Sequence, residues 1–229
     1  MRDLNVILPS TNSCAGAESG HNLDYSEVAI DLGREREKRV CNINSDQELD
    51  GSESSTLMRW DAVDMLGHKS LLHACNPGGY SVIVDKSTSD CIACKNDVEI
   101  ALPYAIDVPS GHPIELDLKH ALDAVHPLHV LAVHLALVTK PGAWWIALSY
   151  SEDRFPFVDG LYSSRPHLAG FPDTGLLWKL RDKRAVESSK EKVPSSTEDM
   201  TITHRPKIFN WVYVLERTNV PLVVRGAHI

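Results

Sequence analysis

Tyr80–Cys94 reads YSVIVDKSTSDCIAC, and the fold turns on it. Gly78-Gly79 ends whatever precedes this stretch. Val82, Ile83 and Val84 make a run too short for a helix, and all three are β-branched. That composition predicts a strand buried on both faces, as in a parallel sheet. Asp85 and Lys86 follow at the strand's end, and then come small polar residues. Open α/β sheets bind ligands beyond the carboxyl ends of their strands. The charged pair is therefore a candidate site on position alone. Asp85 has a second reading, as the cap of a following helix.

Outward from this strand, other short apolar runs bounded by turn residues predict further strands. Towards the N-terminus these are Leu4–Leu8, the very short His21–Asp24, and Leu57–Val63. Towards the C-terminus they are Ala143–Tyr150, Leu176–Val186 and Phe209–Glu216. Ser26 is a plausible N-cap, and Val28–Arg39 predicts a helix whose charged second half faces water. Leu116–Thr139 predicts a second helix, interrupted at Pro127, with Leu128, Leu131, Ala132, Leu135 and Val138 on one core face. Asn96–Pro113 reads as irregular. The order implies an α/β fold: a doubly wound, mostly parallel Rossmann-like sheet with an antiparallel C-terminal edge. Residues 1–218 read as one domain, with 42–56 and 187–207 as flexible loops and 219–229 as a tail.

The chain has 229 residues, 43% of them hydrophobic and 24% charged, which suits one globular α/β domain. A net charge of -8 argues against a general nucleic-acid or anionic-membrane binder. Five cysteines without framework spacing predict free thiols in a reducing, cytoplasmic setting. No run reaches the ~18 apolar residues of a membrane span. MRDLNVILPS lacks the apolar core of a signal peptide and leads straight into a strand, so no leader is expected. Cys91-x-x-Cys94 has no second pair and reads as two half-buried side chains or, alternatively, a redox pair. The histidines lack ligand spacing such as HExxH; His129 and His134 stand five apart, off one helical face.

Asp24, Asp64 and Asp85 each fall at the end of a predicted strand. A carboxylate after the second strand of a doubly wound fold bonds ribose hydroxyls. One after the third strand can reach an exocyclic adenine amine. The spacing suits an adenosine-bearing ligand; the plainer alternative is that each carboxylate caps a helix.

NLDYSEVAI (22–30), LMRWDAVDM (57–65), YSVIVDKSTSDCIAC (80–94), KPGAWWIALSY (140–150) and FNWVYVLE (209–216) occur in an order that carries a resemblance. Together they resemble a class I S-adenosylmethionine-dependent methyltransferase. Within that superfamily they are similar to the translation elongation factor lysine methyltransferases. The resemblance implies S-adenosyl-L-methionine as cofactor and a protein lysine as acceptor. It places Asp24 on the ribose with Tyr25 beside it, Asp64 and Met65 around the adenine, and Lys86 at the methionine end. Asp85 becomes the candidate catalytic base, and Ser151–Pro172 part of the substrate mouth. No metal, nucleic acid or membrane is implied.

The chain departs from the family pattern at its first turn. Where a glycine-rich turn should follow the first strand stands Leu8-Pro9-Ser10-Thr11-Asn12-Ser13, and Ser87 occupies another usual glycine position. Proline fixes φ and removes a donor where the backbone should approach the cofactor. A non-catalytic binding or scaffold module is therefore the alternative function.

Overall fold

A computed structural model describes residues 20–40, 58–109, 122–158, 168–187 and 209–225, together with the backbone of 5–9. The flexible loop expected at 42–56 lies outside these residues, as does the one expected at 187–207 apart from Glu187, which belongs to a strand. In chain order the elements are β1 (Asn5–Pro9), β2 (His21–Asp24), α1 (Glu27–Val40), β3 (Arg59–Ala62), α2 (His68–Ala74) and β4 (Tyr80–Lys86). Then come α3 (Thr88–Ala93), β5 (Val98–Ala101), β6 (Ile106–Asp107), β7 (Leu122–Val125), α4 (Pro127–Val138) and β8 (Thr139–Ser149). The chain continues with α5 (Thr174–Leu177), β9 (Trp178–Glu187), β10 (Phe209–Arg217) and β11 (Val223–Val224).

Seven strands form the main sheet, in the order β3-β2-β1-β4-β8-β10-β9. β2 and β3 pair in parallel, as do β4 and β8. β10 runs antiparallel to both its neighbours, β8 and β9. The antiparallel strand is therefore not the edge, as the sequence predicted, but lies one place inside it. β1 is the larger departure. It is antiparallel to β2 and to β4, in the middle of the sheet. The sheet is thus mixed rather than mostly parallel.

α4 explains its own composition. Eleven of its twelve residues are buried, so an apolar face on every side is what its position demands. Pro127 does not interrupt this helix; it begins it. Proline lacks the N–H that the first turn would leave unpaired, and it holds His126 out of the helical region, at ψ 131. The helix expected upstream of Pro127 is replaced at 122–125 by β7, which pairs with β5. β5 and β6 also lie in the stretch 96–113 read as irregular. The tail is anchored as well: β11 pairs with β6, and Arg225 bonds Asp107.

Beneath β8 the core is aromatic. Trp145 packs edge-on against Phe155 and Trp178, with centroids 4.8 and 5.3 Å away. Such pairs add about 1 kcal/mol each beyond the area they bury. α1 docks on β3 through Gly33, where a Cβ would lie 2.2 Å from the Trp60 ring. The Trp60 indole N–H donates to Glu37 at 2.7 Å, which fixes the helix at its charged end.

Candidate functional site

The carboxyl ends of β2, β3 and β4 lie at one edge of the sheet. Asp24 is level with Ala62 across β2 and β3, and Lys86 with Leu148 across β4 and β8. Beyond these ends opens a cleft of about 450 Å³. Five residues singled out by sequence line it together: Asp24, Tyr25, Asp64, Met65 and Lys86. Leu23 and Ile92 add apolar wall, and Lys95 and Tyr150 complete the rim.

The local chemistry at each strand end is tight. Asp24 Oδ1 accepts from the Ser26 N–H at 2.7 Å, and the Ser26 hydroxyl accepts from Ala29 N–H at 3.3 Å, so α1 starts from the cleft. Asp64 Oδ1 accepts from Leu66 N–H at 3.0 Å, while its own N–H donates to Ser70 Oγ at 3.0 Å. The Tyr25 ring is exposed, with Lys95 Nζ 5.5 Å from its centroid. That cation–π contact joins the end of β2 to the end of α3.

Asp85 stands apart from this group and does not line the cleft. It is buried, and its carboxylate accepts from Thr88 N–H at 2.9 Å, Ser89 N–H at 3.3 Å and the Trp145 indole at 3.3 Å. Successive residues of a strand point to opposite faces, so Lys86 reaches the cleft while Asp85 turns into the core. Burial pushes the Asp85 carboxyl up to about 6, against the hydrogen bonds it accepts. The native state therefore holds this proton more tightly than the unfolded chain, whose value is 3.8. The stability it contributes is complete below about pH 4 and is lost as pH rises through about 6. Asp85→Asn flattens that part of the profile; urea titrations between pH 4 and 7 that leave the slope unchanged would exclude this origin.

Ser87 lines the cleft and takes φ 64, the only non-glycine with positive φ among the described residues. Its N–H donates to Leu148 O at 3.1 Å, which holds it in this conformation. An L-residue there costs about 1–2 kcal/mol. Glycine gives part of that back as unfolded-chain entropy. Ser87→Gly thus raises unfolding free energy by about 1 kcal/mol or less, read as a higher urea midpoint at unchanged m.

Asp90, one helical turn on, ties α3 to the end of β8. Its carboxylate accepts from Ser149 Oγ at 2.6 Å and Tyr150 N–H at 3.1 Å, and pairs with Arg154 at 2.7 Å. The sequence reading gave Asp90 no role of its own, and it did not place Tyr150, Ser87, Cys91 or Lys95 in the lining. Position next to Lys86 could have pointed to Ser87, and helical spacing from Ser87 to Cys91 and Lys95. Tyr150 directly follows the end of β8, while Asp24 and Lys86 are the last residues of β2 and β4.

Val6 pairs with Val84 and Pro9 with Tyr80, so Pro9 lies at the opposite edge from the cleft. The rest of the run 8–13, where the glycine-rich turn was expected, lies outside the described residues. The loop 151–172 contributes none of its described residues to the lining. Among the described residues no group of three His, Cys, Asp or Glu could hold a metal ion, and no helix is long and apolar enough to cross a membrane.

No protein-family model and no curated protein matches the chain. Several solved structures are similar to it, among them these two. One is described as the conversion of a disulfide bond into a thioacetal group during echinomycin biosynthesis; identity is 12%, TM-score 0.45, with 88% of this chain and 67% of that chain covered. The other is a SAM-dependent methyltransferase from Methanosarcina mazei; identity is 9%, TM-score 0.42, with coverage of 86% and 81%. Likenesses this distant carry no activity across. The site is read from its own geometry.

Proposed function

We propose that the cleft binds S-adenosyl-L-methionine and that the chain is a methyltransferase acting on a protein lysine. One observation carries the reading: Asp24, Asp64 and Lys86, from the ends of three strands, share a single hollow. Its volume of about 450 Å³ falls within the ~300–1,000 Å³ of small-molecule sites. The donor set fits the cofactor part by part. Asp24 can accept from both ribose hydroxyls, and Asp64 from the adenine amine. Met65, Leu66 and Ile92 offer apolar wall for the ring, and Lys86 a cation for the methionine carboxylate.

When bound, the cofactor supplies an electrophilic methyl group on a sulfonium. The chain's own task is then to orient the cofactor and the acceptor and to exclude water. Asp85 takes a positioning role rather than that of a base: it caps α3 and so holds Ser87 and Thr88 on the cleft wall. The lysine acceptor, the kinship with elongation factor methyltransferases and the cytoplasmic setting are supported by the sequence resemblance and thiol usage; Cys91 and Cys94 are free and exposed.

The reversed β1 favours a second reading, binding without turnover. Its last residue, Pro9, pairs with Tyr80 at the end of the sheet away from the cleft, whereas the family pattern would end this strand at the cofactor. Calorimetry with S-adenosylmethionine and S-adenosylhomocysteine, followed by transfer of labelled methyl to a protein lysate, separates the two. Heat with transfer supports catalysis, and heat without transfer supports a binding module. No heat and no thermal shift at millimolar ligand removes both.

A further inference from the structure

Behind the cleft floor lies a buried polar pair that the sequence reading left without a role. His134 on α4 has no exposed surface, and Tyr104 is 7% exposed. His134 Nδ1 lies 2.8 Å from the Met65 carbonyl oxygen, and His134 Nε2 lies 2.6 Å from the Tyr104 hydroxyl. A carbonyl can only accept, so Nδ1 carries the proton and donates. Nε2 then accepts from the Tyr104 O–H. Burial holds the imidazole neutral, lowering it to about 4, and raises the Tyr104 phenol to about 12, so both keep these roles near neutral pH. Phe171, with its ring centroid 5.0 Å from that of Tyr104, packs the phenol in place.

Met65 is the middle residue of Asp64–Leu66, and all three line the cleft. The turn's internal bonds, Leu66 N–H to Asp64 Oδ1 and Gly67 N–H to Asp64 O, set its shape. The His134 bond sets where that turn stands against α4. We infer that His134, held by Tyr104, is a positioning residue for the nucleobase subsite, fixing the wall that selects an adenine over a base without the exocyclic amine. This inference rests on the adenosine-binding reading of the cleft and deepens it. A wall displaced by a fraction of an ångström keeps its apolar contact with the ring but misaligns the Asp64 carboxylate, so selectivity suffers along with affinity.

The test compares S-adenosylhomocysteine, adenosine and inosine binding to the full chain by calorimetry, with melting temperatures as the check on folding. His134→Phe is expected to lose affinity for S-adenosylhomocysteine by about tenfold and most of the preference for adenosine over inosine. In His134→Gln the amide can donate to Met65 and accept from Tyr104, so it is expected to keep both within about threefold. A folded His134→Phe with wild-type affinity and preference overturns the inference. So does an equal loss for both nucleosides, which marks a purely structural role. If His134→Phe does not fold, Tyr104→Phe is read instead: a reduced adenosine preference supports the inference and an unchanged one overturns it. Wild-type protein that binds none of the three removes the cleft reading and this inference together, whereas wild-type binding with unaltered variants removes this inference alone.

Discussion

Asp24→Ala weakens S-adenosylhomocysteine binding by roughly a hundredfold, the largest loss expected from any single change in the cleft. A carboxylate that accepts from two ribose hydroxyls makes two charge-assisted hydrogen bonds, each worth about 1.5–3 kcal/mol. Losing both costs at least about 3 kcal/mol, or two powers of ten in Kd. The same carboxylate also accepts from Ser26 N–H at the start of α1, so alanine carries a folding cost as well. Asp24→Asn separates the two effects. Its amide oxygen keeps the Ser26 bond while the charge is gone, so stability stays near wild type and affinity falls about tenfold. Calorimetry on both variants, beside their urea midpoints, gives the answer. Wild-type affinity in folded Asp24→Ala would take Asp24 out of the site.

Asp90→Ala is expected to cost about 3–5 kcal/mol of stability, the most of any exchange outside the apolar core. The carboxylate is buried and serves three partners: Ser149 Oγ, Tyr150 N–H and the Arg154 guanidinium. Removing it leaves a mostly buried cation without its counter-charge, and an uncompensated buried charge is the expensive case. The loss also frees the end of β8 from α3, so Tyr150 loses its place at the rim. Asp90→Asn keeps an acceptor for Ser149 and forfeits only the charge, so its cost is smaller. Denaturant unfolding of both, with m unchanged, measures the difference. A loss below about 1 kcal/mol in Asp90→Ala would mean that Arg154 finds water or another partner.

Much of the sheet was legible because the signals are local. β4 announces itself by a β-branched run that turn residues bracket, the second half of β8 by the aromatic run after Pro141-Gly142, and β10 by its apolar and aromatic run, in which Tyr213 and Leu215 are buried. The helical signal ahead of Pro127 misled because apolar spacing over a few residues does not separate helix from strand, and β7 takes its conformation from β5. β5 and β6 went unread for the same reason. Each is four residues or fewer and exists only as paired.

By itself the sequence determined which residues stand where strands end: Asp24, Asp64, Asp85 and Lys86 are placed by neighbours within a few positions. Tertiary structure alone decided two things. The direction of β1 was one, since a five-residue apolar strand pairs equally well read forwards or backwards and only its neighbours choose. The other was which of two adjacent charges faces the cleft. The pleat sends Asp85 and Lys86 to opposite sides, but only Trp145 and the start of α3, closing over one of them, make that side the core and leave the other to the cleft.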